Sequence, residues 1–313
     1  MKVIVTHYAP DWDAICSVWL IKTYLPGWDE AVVEFVPHGS RLTLDGKQLV
    51  VEIDRSKAVP EVIEHTADHD LIHVDTGLGP LDHHETEDQT ICASTRCLEY
   101  VKKHNDMFDS HEDKWQVHEE ALERITVYMT ALDHFQEVFW PEAATDRYDF
   151  SIWAVLEGYK AIVKGDNDKI MQFGLTIMDI LFHRMEGKIW SERELRQKGK
   201  EFQTQFGKGI AIETLDDDVV RLAEKLGYAV VIRKDPRKGY VRIKALPQRV
   251  DGQPDTIDLT RLYERLIKID SRASWYLHVS KRMILNTANK EVRAVPTTLS
   301  LAQVVALLLE LYR

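Results

Sequence analysis

His7, Asp11 and Asp13 stand in the pattern His-x3-Asp-x-Asp, and a second set, Asp75, Asp82, His83 and His84, stands in the stretch Asp-Thr-Gly-Leu-Gly-Pro-Leu-Asp-His-His. One imidazole and two carboxylates on a short loop can face a single point. With Asp75 and His83 added, five hard or borderline donors are available. Such a set suits a divalent cation such as Mn²⁺, with Mg²⁺, Co²⁺ or Zn²⁺ also accommodated. With one carboxylate bridging, it would hold two ions about 4 Å apart, able to share a water as hydroxide and to stabilise the leaving oxygen of a phosphate ester. Taken singly, each residue is ordinary loop polarity, and Asp13 stands where a helix N-cap would. The coincidence of two clusters favours the metal reading.

Both clusters need strands to deliver them. Lys2 to Thr6 reads as a first strand with His7 opening the loop after it, and Leu71 to Val74 as a buried strand that delivers Asp75. Gly77, Gly79 and Pro80 then turn the chain. After Asp13, the residues Ala14, Val18, Ile21 and Leu25 recur on one helical face, and Pro26-Gly27 ends that helix. Ala31 to Val36 reads as a strand, Leu42 to Asp54 as further strand with an Asp45-Gly46 turn, and Pro60 to His65 as a short helix. Strands alternating with helices predict a mostly parallel α/β sheet, in which ligands sit beyond the carboxyl ends of the strands. Both clusters fall there.

Further along, Ala93 to about Lys103 is a helix, where Ser94 or Thr95 caps the start or leaves backbone N–H groups for a phosphate. Leu122, Ile125, Met129 and Leu132 mark a helix that reaches Asp133-His134. Another runs from about Asn167 to Met185, with Gly187 as its interruption. Ser191 and Glu194 have capping-box spacing and predict a charged connector helix to Phe206. Tyr228 to Arg233 and Tyr240 to Leu246 form a hairpin, Trp275 to Ser280 and Met283 to Thr287 two more strands, and Ser300 to Tyr312 a closing helix.

The chain has 313 residues, which favours two domains. The expected fold class is α/β: a mostly parallel sheet in a catalytic domain over residues 1-190, with a smaller C-terminal α+β domain over 191-313. A net charge of −11 argues against coating long duplex DNA but leaves short strands open as substrates, because metal ions add local positive charge. No apolar run is long enough for a membrane span, and the start is neither a signal nor a transit peptide. Cys16, Cys92 and Cys97 are an odd set without metal spacing, which fits a reducing cytoplasm.

The order of motifs resembles the DHH phosphoesterase superfamily: His7-x3-Asp11-x-Asp13, the strand-ending Asp75, Asp82-His83-His84, then Ala93-Ser94-Thr95. The resemblance implies that His7 and Asp11 bind one metal, that Asp13 and His83 bind the other, and that Asp75 bridges them. It places His84 at the scissile phosphate as a catalytic residue, with Asp82 supporting the histidines. Asp133 is the candidate for the family's last ligand, with Asp146 and Asp149 as neighbours. Trp275-Tyr276-Leu277-His278-Val279-Ser280 and the paired strands before it look like the Myg-type branch of metal-dependent 3′–5′ exonucleases. Lys281-Arg282-Met283 stands where that branch has a glycine-rich turn.

The expected protein is therefore a phosphodiester hydrolase with two divalent ions, Mn²⁺ first and Mg²⁺ or Co²⁺ next, acting as a 3′–5′ exonuclease on short single-stranded RNA or DNA. His278, Lys281 and Arg282 are candidate substrate contacts from the second domain. Two other readings stay open: a small-molecule phosphohydrolase acting on pyrophosphate or a cyclic dinucleotide, and a catalytically silent nucleotide-binding regulator. Membrane partners are not expected, and self-association is left open.

Overall fold

A computed structural model describes residues 1–42, 47–50, 61–65, 68–248, 257–286 and 294–313. The chain divides into two compact units, Met1–Glu186 and Gly187–Arg313. Each combines helices with sheet, as an α/β chain should. Among the described residues, no helix is long and apolar enough to cross a membrane.

In the first unit, β1 (Lys2–His7), β2 (Val32–Val36), β5 (Glu64–His65) and β6 (Asp70–His73) form one sheet in the order β2-β1-β6-β5. β3 (Ser40–Leu42) and β4 (Gln48–Val50) pair beside it as an antiparallel ladder. β1 runs parallel to both β2 and β6, whereas β5 is antiparallel to β6. β1 is therefore central and covered on both faces. That explains its unbroken apolar run Val3-Ile4-Val5, all buried, in place of alternation. Because β1 and β6 are parallel neighbours, His7 and Asp75 emerge from the same edge.

α1 (Trp12–Tyr24) is buried on every side, including Ile15, Cys16, Trp19 and Leu20 as well as the expected face of Ala14, Val18 and Ile21. A helix apolar all round is a core helix. Its N-cap is Asp11, whose carboxylate accepts from the Asp13 and Ala14 amides at 3.0 Å each. The capping role expected of Asp13 thus belongs to Asp11, and Asp13 lies in the first turn. α2 (Ala93–Lys103), α3 (Asp113–Asp133) and α4 (Ile152–Ile162) follow, and α3 and α4 contribute Leu122, Ile125, Met129 and Leu156 to the same core.

α5 spans Asn167–Lys198 without a break at Gly187. A glycine inside a helix costs only about 1 kcal/mol relative to alanine, which the rest of a long helix absorbs. Ser191 is mid-helix and caps nothing; its hydroxyl sits between the Gly187 carbonyl and the Asp216 carboxylate. The charged helix expected to reach Phe206 stops at Lys198, because β7 (Lys200–Thr204) pairs with β8 (Gly207–Glu213) as a hairpin.

The second unit holds a mixed sheet in the order β11-β12-β10-β9-β8-β7, with β9 (Val230–Lys234), β10 (Val241–Ala245), β11 (Tyr276–Leu277) and β12 (Met283–Asn286). The expected β9–β10 hairpin forms. α6 (Asp218–Lys225) covers Ile212 and Val231. α7 (Thr260–Ile269) and α8 (Leu301–Tyr312) cover Val230 and Ile232, so neighbouring residues of β9 bury on opposite faces. The helix expected over Pro60 to His65 is strand at Glu64–His65. Pro60, the Asp45-Gly46 turn, the expected strand from Val51 to Asp54, and Thr287 lie outside the described residues.

Candidate metal centre

Two loops at the carboxyl edge of the first sheet, together with the start of α2 and the end of α3, meet at one point. The first is the β1–α1 loop. His7 leaves the end of β1 with its Nδ1 bonded to the Tyr8 carbonyl at 2.9 Å, so Nδ1–H donates and Nε2 is turned inward to Asp75 Oδ2 at 3.1 Å. A backbone carbonyl that fixes the tautomer in this way is the usual support of a metal-ligating histidine. The Ala9 amide donates to Asn167 Oδ1 at 2.8 Å and anchors the loop to α5.

The second loop follows β6. Asp75 has φ +53°, a left-handed conformation that Asp tolerates better than most residues. The chain therefore turns at the ligand-type residue itself, with the Asp75 amide donating to the Leu81 carbonyl at 3.1 Å. Gly77 has φ +81°, and a Cβ there would stand 2.8 Å from Arg41 Cγ. Arg41 packs under the loop, donating to the Gly77 carbonyl and pairing with Glu64. Asp82 is buried; it accepts from the Leu78 amide at 2.7 Å and holds His84 Nδ1 at 2.6 Å.

α2 and α3 complete the site. The first amides of α2 do not stay free. Ala93 and Ser94 N–H donate to the two oxygens of Asp13 at 2.7 and 2.9 Å, and Thr95 bonds back to Cys92. The helix N-terminus expected to greet a phosphate thus fixes a carboxylate of the protein's own. Asp133 ends α3 and faces His83 Nε2 at 3.4 Å, whereas Asp146 and Asp149 are exposed on a later turn.

His7, Asp11, Asp13, Asp75, Asp82, His83, His84 and Asp133 are therefore all brought together. His83 Nε2 lies 3.5 Å from Asp75 Oδ1 and 3.8 Å from Asp13 Oδ2, and His7 Nε2 lies 3.9 Å from Asp11 Oδ1. His7, Asp11 and Asp75 form one group that could hold a cation, and Asp75, His83 and His84 form another that shares Asp75. Asp75 Oδ1 and His83 Nε2 are both buried, and neither has a hydrogen-bond partner. Buried polar atoms in folded proteins are nearly always satisfied, and each exception needs an explanation.

The charges are strained in the same direction. Burial, with Asp75 and Asp133 as neighbours, pushes Asp13 up to about 7. Burial also raises Asp133 to about 6, with the Asp75 and Asp11 charges adding to it against the pull of His83. For Asp75, burial is outweighed by the His7 hydrogen bond and by the His83 and His84 imidazoles close by, which hold it at about 2. Burial opposes the His7 imidazolium, but Asp75 and Asp11 overcome it and raise His7 to about 9. The hydrogen bond to Asp82 raises His84 to about 9. Crowded carboxylates that retain protons, facing histidines that gain them, are what a divalent ion would relieve.

Two residues at the site, Cys92 and His38, escaped the sequence reading, and His134 follows directly on Asp133. His134 Nε2 bonds the Ile91 carbonyl at 2.8 Å and groups with His83 and Asp133. Cys92, buried and free, packs against Asp13. His38 stacks on His7 with ring centroids 4.1 Å apart. No spacing rule reaches His38; its position beyond a strand parallel to β1 was the only signal. In the second unit, His278 meets Ser280, Lys281 pairs with Asp258, and Arg282 donates to the Leu246 carbonyl.

No protein-family model matches the chain, and no curated protein matches it. Solved structures give low-scoring overlays. A pGpG-specific phosphodiesterase, PggH, from Vibrio cholerae is 13% identical, with 93% of each chain covered and a TM-score of 0.28. An uncharacterized protein from Helicobacter pylori G27 is 11% identical, over 100% of this chain and 99% of that one, with a TM-score of 0.22. A proposed family II inorganic pyrophosphatase from Methanococcus jannaschii is 14% identical, over 98% and 99%, with a TM-score of 0.20. TM-scores this low establish neither a shared fold nor a shared activity.

Proposed function

We propose that this protein is a metal-dependent phosphoesterase of the DHH type, and that its substrate is a short single-stranded RNA or DNA cut from the 3′ end. The observation that supports it is the pair of unpartnered buried atoms, Asp75 Oδ1 and His83 Nε2, ringed by Asp13, Asp133, His7 and Asp11. The donors are carboxylate and imidazole without thiolate in the ring, a set that fits Mn²⁺, Mg²⁺ or Co²⁺. His7 and Asp11 with Asp75, and His83, Asp13 and Asp133 with Asp75, would hold two such ions. Bound there, divalent ions would supply a hydroxide nucleophile at neutral pH and neutralise charge on the phosphate.

The protein's own groups do the rest. Asp13 is fixed by the α2 amides, and His7 by the Tyr8 carbonyl, so neither must reorganise. Asp82 is the positioning residue for His84. It is held by the Leu78 amide, binds His84 Nδ1, and strengthens the imidazole's hold on a second proton. The half-exposed His84 ring can then donate to a phosphate oxygen or to the departing oxygen from Nε2. The overall acidity of the chain favours short substrates, which need no basic track.

The test is a substrate panel with Mn²⁺: end-labelled short RNA, the matching DNA, a cyclic dinucleotide and pyrophosphate. Stepwise loss of single nucleotides from one end is the expected result. Release of phosphate from pyrophosphate alone would move the protein to the small-molecule class. Absence of turnover on every substrate, with two metals bound, would sink the hydrolase reading in favour of a binding protein.

A further inference from the structure

His38 is built into the metal centre although no motif marks it. Pro37 to Ser40 close a tight turn in which the Ser40 amide donates to the Pro37 carbonyl at 3.0 Å. Gly39 takes φ +69°, as the third residue of a type II turn requires. Buried Thr76 ties the turn down by donating its hydroxyl to the Ser40 carbonyl at 2.9 Å, which joins it to the residue after Asp75. His38 sits at the corner of that turn, with its ring on His7 at an interplanar angle of 26°. The stack is not needed to orient His7, whose Nδ1 is already bonded to Tyr8. The rest of the His38 side chain is exposed, and among the described residues neither ring nitrogen has a hydrogen-bond or ion-pair partner.

An anionic substrate arriving at an acidic centre needs donors. The nearby arginines are already turned inward: Arg41 holds the Gly77 carbonyl and Glu64, and Arg96 holds the Asp82 carbonyl and Glu85. His84 and His38 are the imidazoles that remain open to solvent beside the ligand-type residues. We propose that His38 is a substrate-positioning residue that donates a hydrogen bond to a non-bridging oxygen of the bound phosphate group. The proposal rests on the phosphoesterase reading for the class of ligand, but what it predicts is anion binding, which can be measured without turnover.

Two variants separate contact from packing. His38→Phe keeps a flat ring on His7 and removes both nitrogens. His38→Asn keeps a donor and gives up the stack. The measurements are calorimetric titration of the Mn²⁺-loaded protein with inorganic phosphate, and elemental analysis of bound metal. His38→Phe should bind phosphate roughly tenfold more weakly with unchanged Mn²⁺ content, the loss expected for one charge-assisted hydrogen bond. His38→Asn should recover most of it. With a substrate in hand, KM should rise while kcat stays within about threefold. Unchanged phosphate affinity in His38→Phe overturns the proposal. So does loss of Mn²⁺ in that variant, which would make His38 a prop for His7, and so does a wild-type protein that binds no phosphate. If the wild type binds phosphate yet hydrolyses nothing, the phosphoesterase reading fails while the His38→Phe comparison still decides this one.

Discussion

Two groups of ionisable side chains, one in each unit, differ in whether their atoms are already spent. In the second unit, Arg282 is 7% exposed and donates to the Leu246 carbonyl, Lys281 pairs with Asp258 at 3.3 Å, and His278 Nδ1 accepts from the Ser280 amide. Those contacts shape the turn between β11 and β12 and tie it to the chain just after β10 and just before α7. In the first unit, Asp75 is 2% exposed, and one of its oxygens has no partner. Burial of a charged group is costly unless it is paired. The second cluster meets that cost within the fold, whereas the first leaves it open for a ligand to meet. Residue type alone does not separate the two cases; partner inventory does.

The sharpest break of this contrast is Asp75→Asn. Asparagine tolerates the left-handed backbone at this position and keeps the shape, so the fold should survive. Turnover should fall by three orders of magnitude or so, the scale of losing a central charge-stabilising group. Metal content should drop as well. Near-normal activity with full Mn²⁺ would end the shared-ligand reading of Asp75.

Next in size is His84→Gln, which should lower kcat by about a hundredfold while leaving metal content unchanged. His84 is half exposed and bonded to Asp82, so its removal opens the substrate side and not the ligand set. Equal loss of metal in this variant would move His84 into the first group.

Stability against pH sharpens the contrast from another side. Asp13 and Asp133 sit at about 7 and about 6, above their ordinary values, so their contribution holds at low pH and is lost as pH rises through those values. His7 and His84, both raised to about 9, contribute fully below pH 6.5, and that share is lost as pH climbs through 9. Asp75, held at about 2, acts in the opposite sense and loses its share only as pH falls through that value. The Tm of EDTA-treated protein should therefore decline between pH 6 and 9. Mn²⁺ competes for the same sites as the protons, so it should raise Tm most at the alkaline end. A Tm that is flat over that range, with and without Mn²⁺, would contradict the crowded centre.

What the sequence made legible followed from local rules. Strand ends put His7 and Asp75 on one edge because parallel strands share direction, and the two motifs needed no tertiary knowledge. What it hid depends on partners far along the chain. The amides of Ala93 and Ser94 are taken by Asp13, some eighty residues earlier, so a free anion site at α2 could not be told from an occupied one. Asp11 and Asp13 are both plausible caps by spacing, and only the observed bonds assign the role to Asp11. His38 reaches the centre through the β1–β2 pairing and the Thr76 clamp, neither of which leaves a pattern. Gly187 and Ser191 read as a break and a new start, yet helix continuity there is decided by the whole of α5.

The smallest effects are expected in the second unit, where they are most informative. Arg282→Ala removes a buried donor from the Leu246 carbonyl and should cost about 1–3 kcal/mol of stability, read as a lower Tm. Lys281→Ala breaks an ion pair between groups that are 59% and 47% exposed, and should change stability by less than about 1 kcal/mol. If these side chains serve only the hairpin, neither variant should move KM once the comparison is made well below its own Tm. A KM raised about tenfold by Lys281→Ala at unchanged Tm would show that its ammonium contacts substrate, because packing and anion contact are then no longer confounded. The second cluster would then belong with the first, and the line drawn between spent and unspent atoms would have to be redrawn for groups on the surface. There a weak ion pair can be exchanged for a phosphate at little cost.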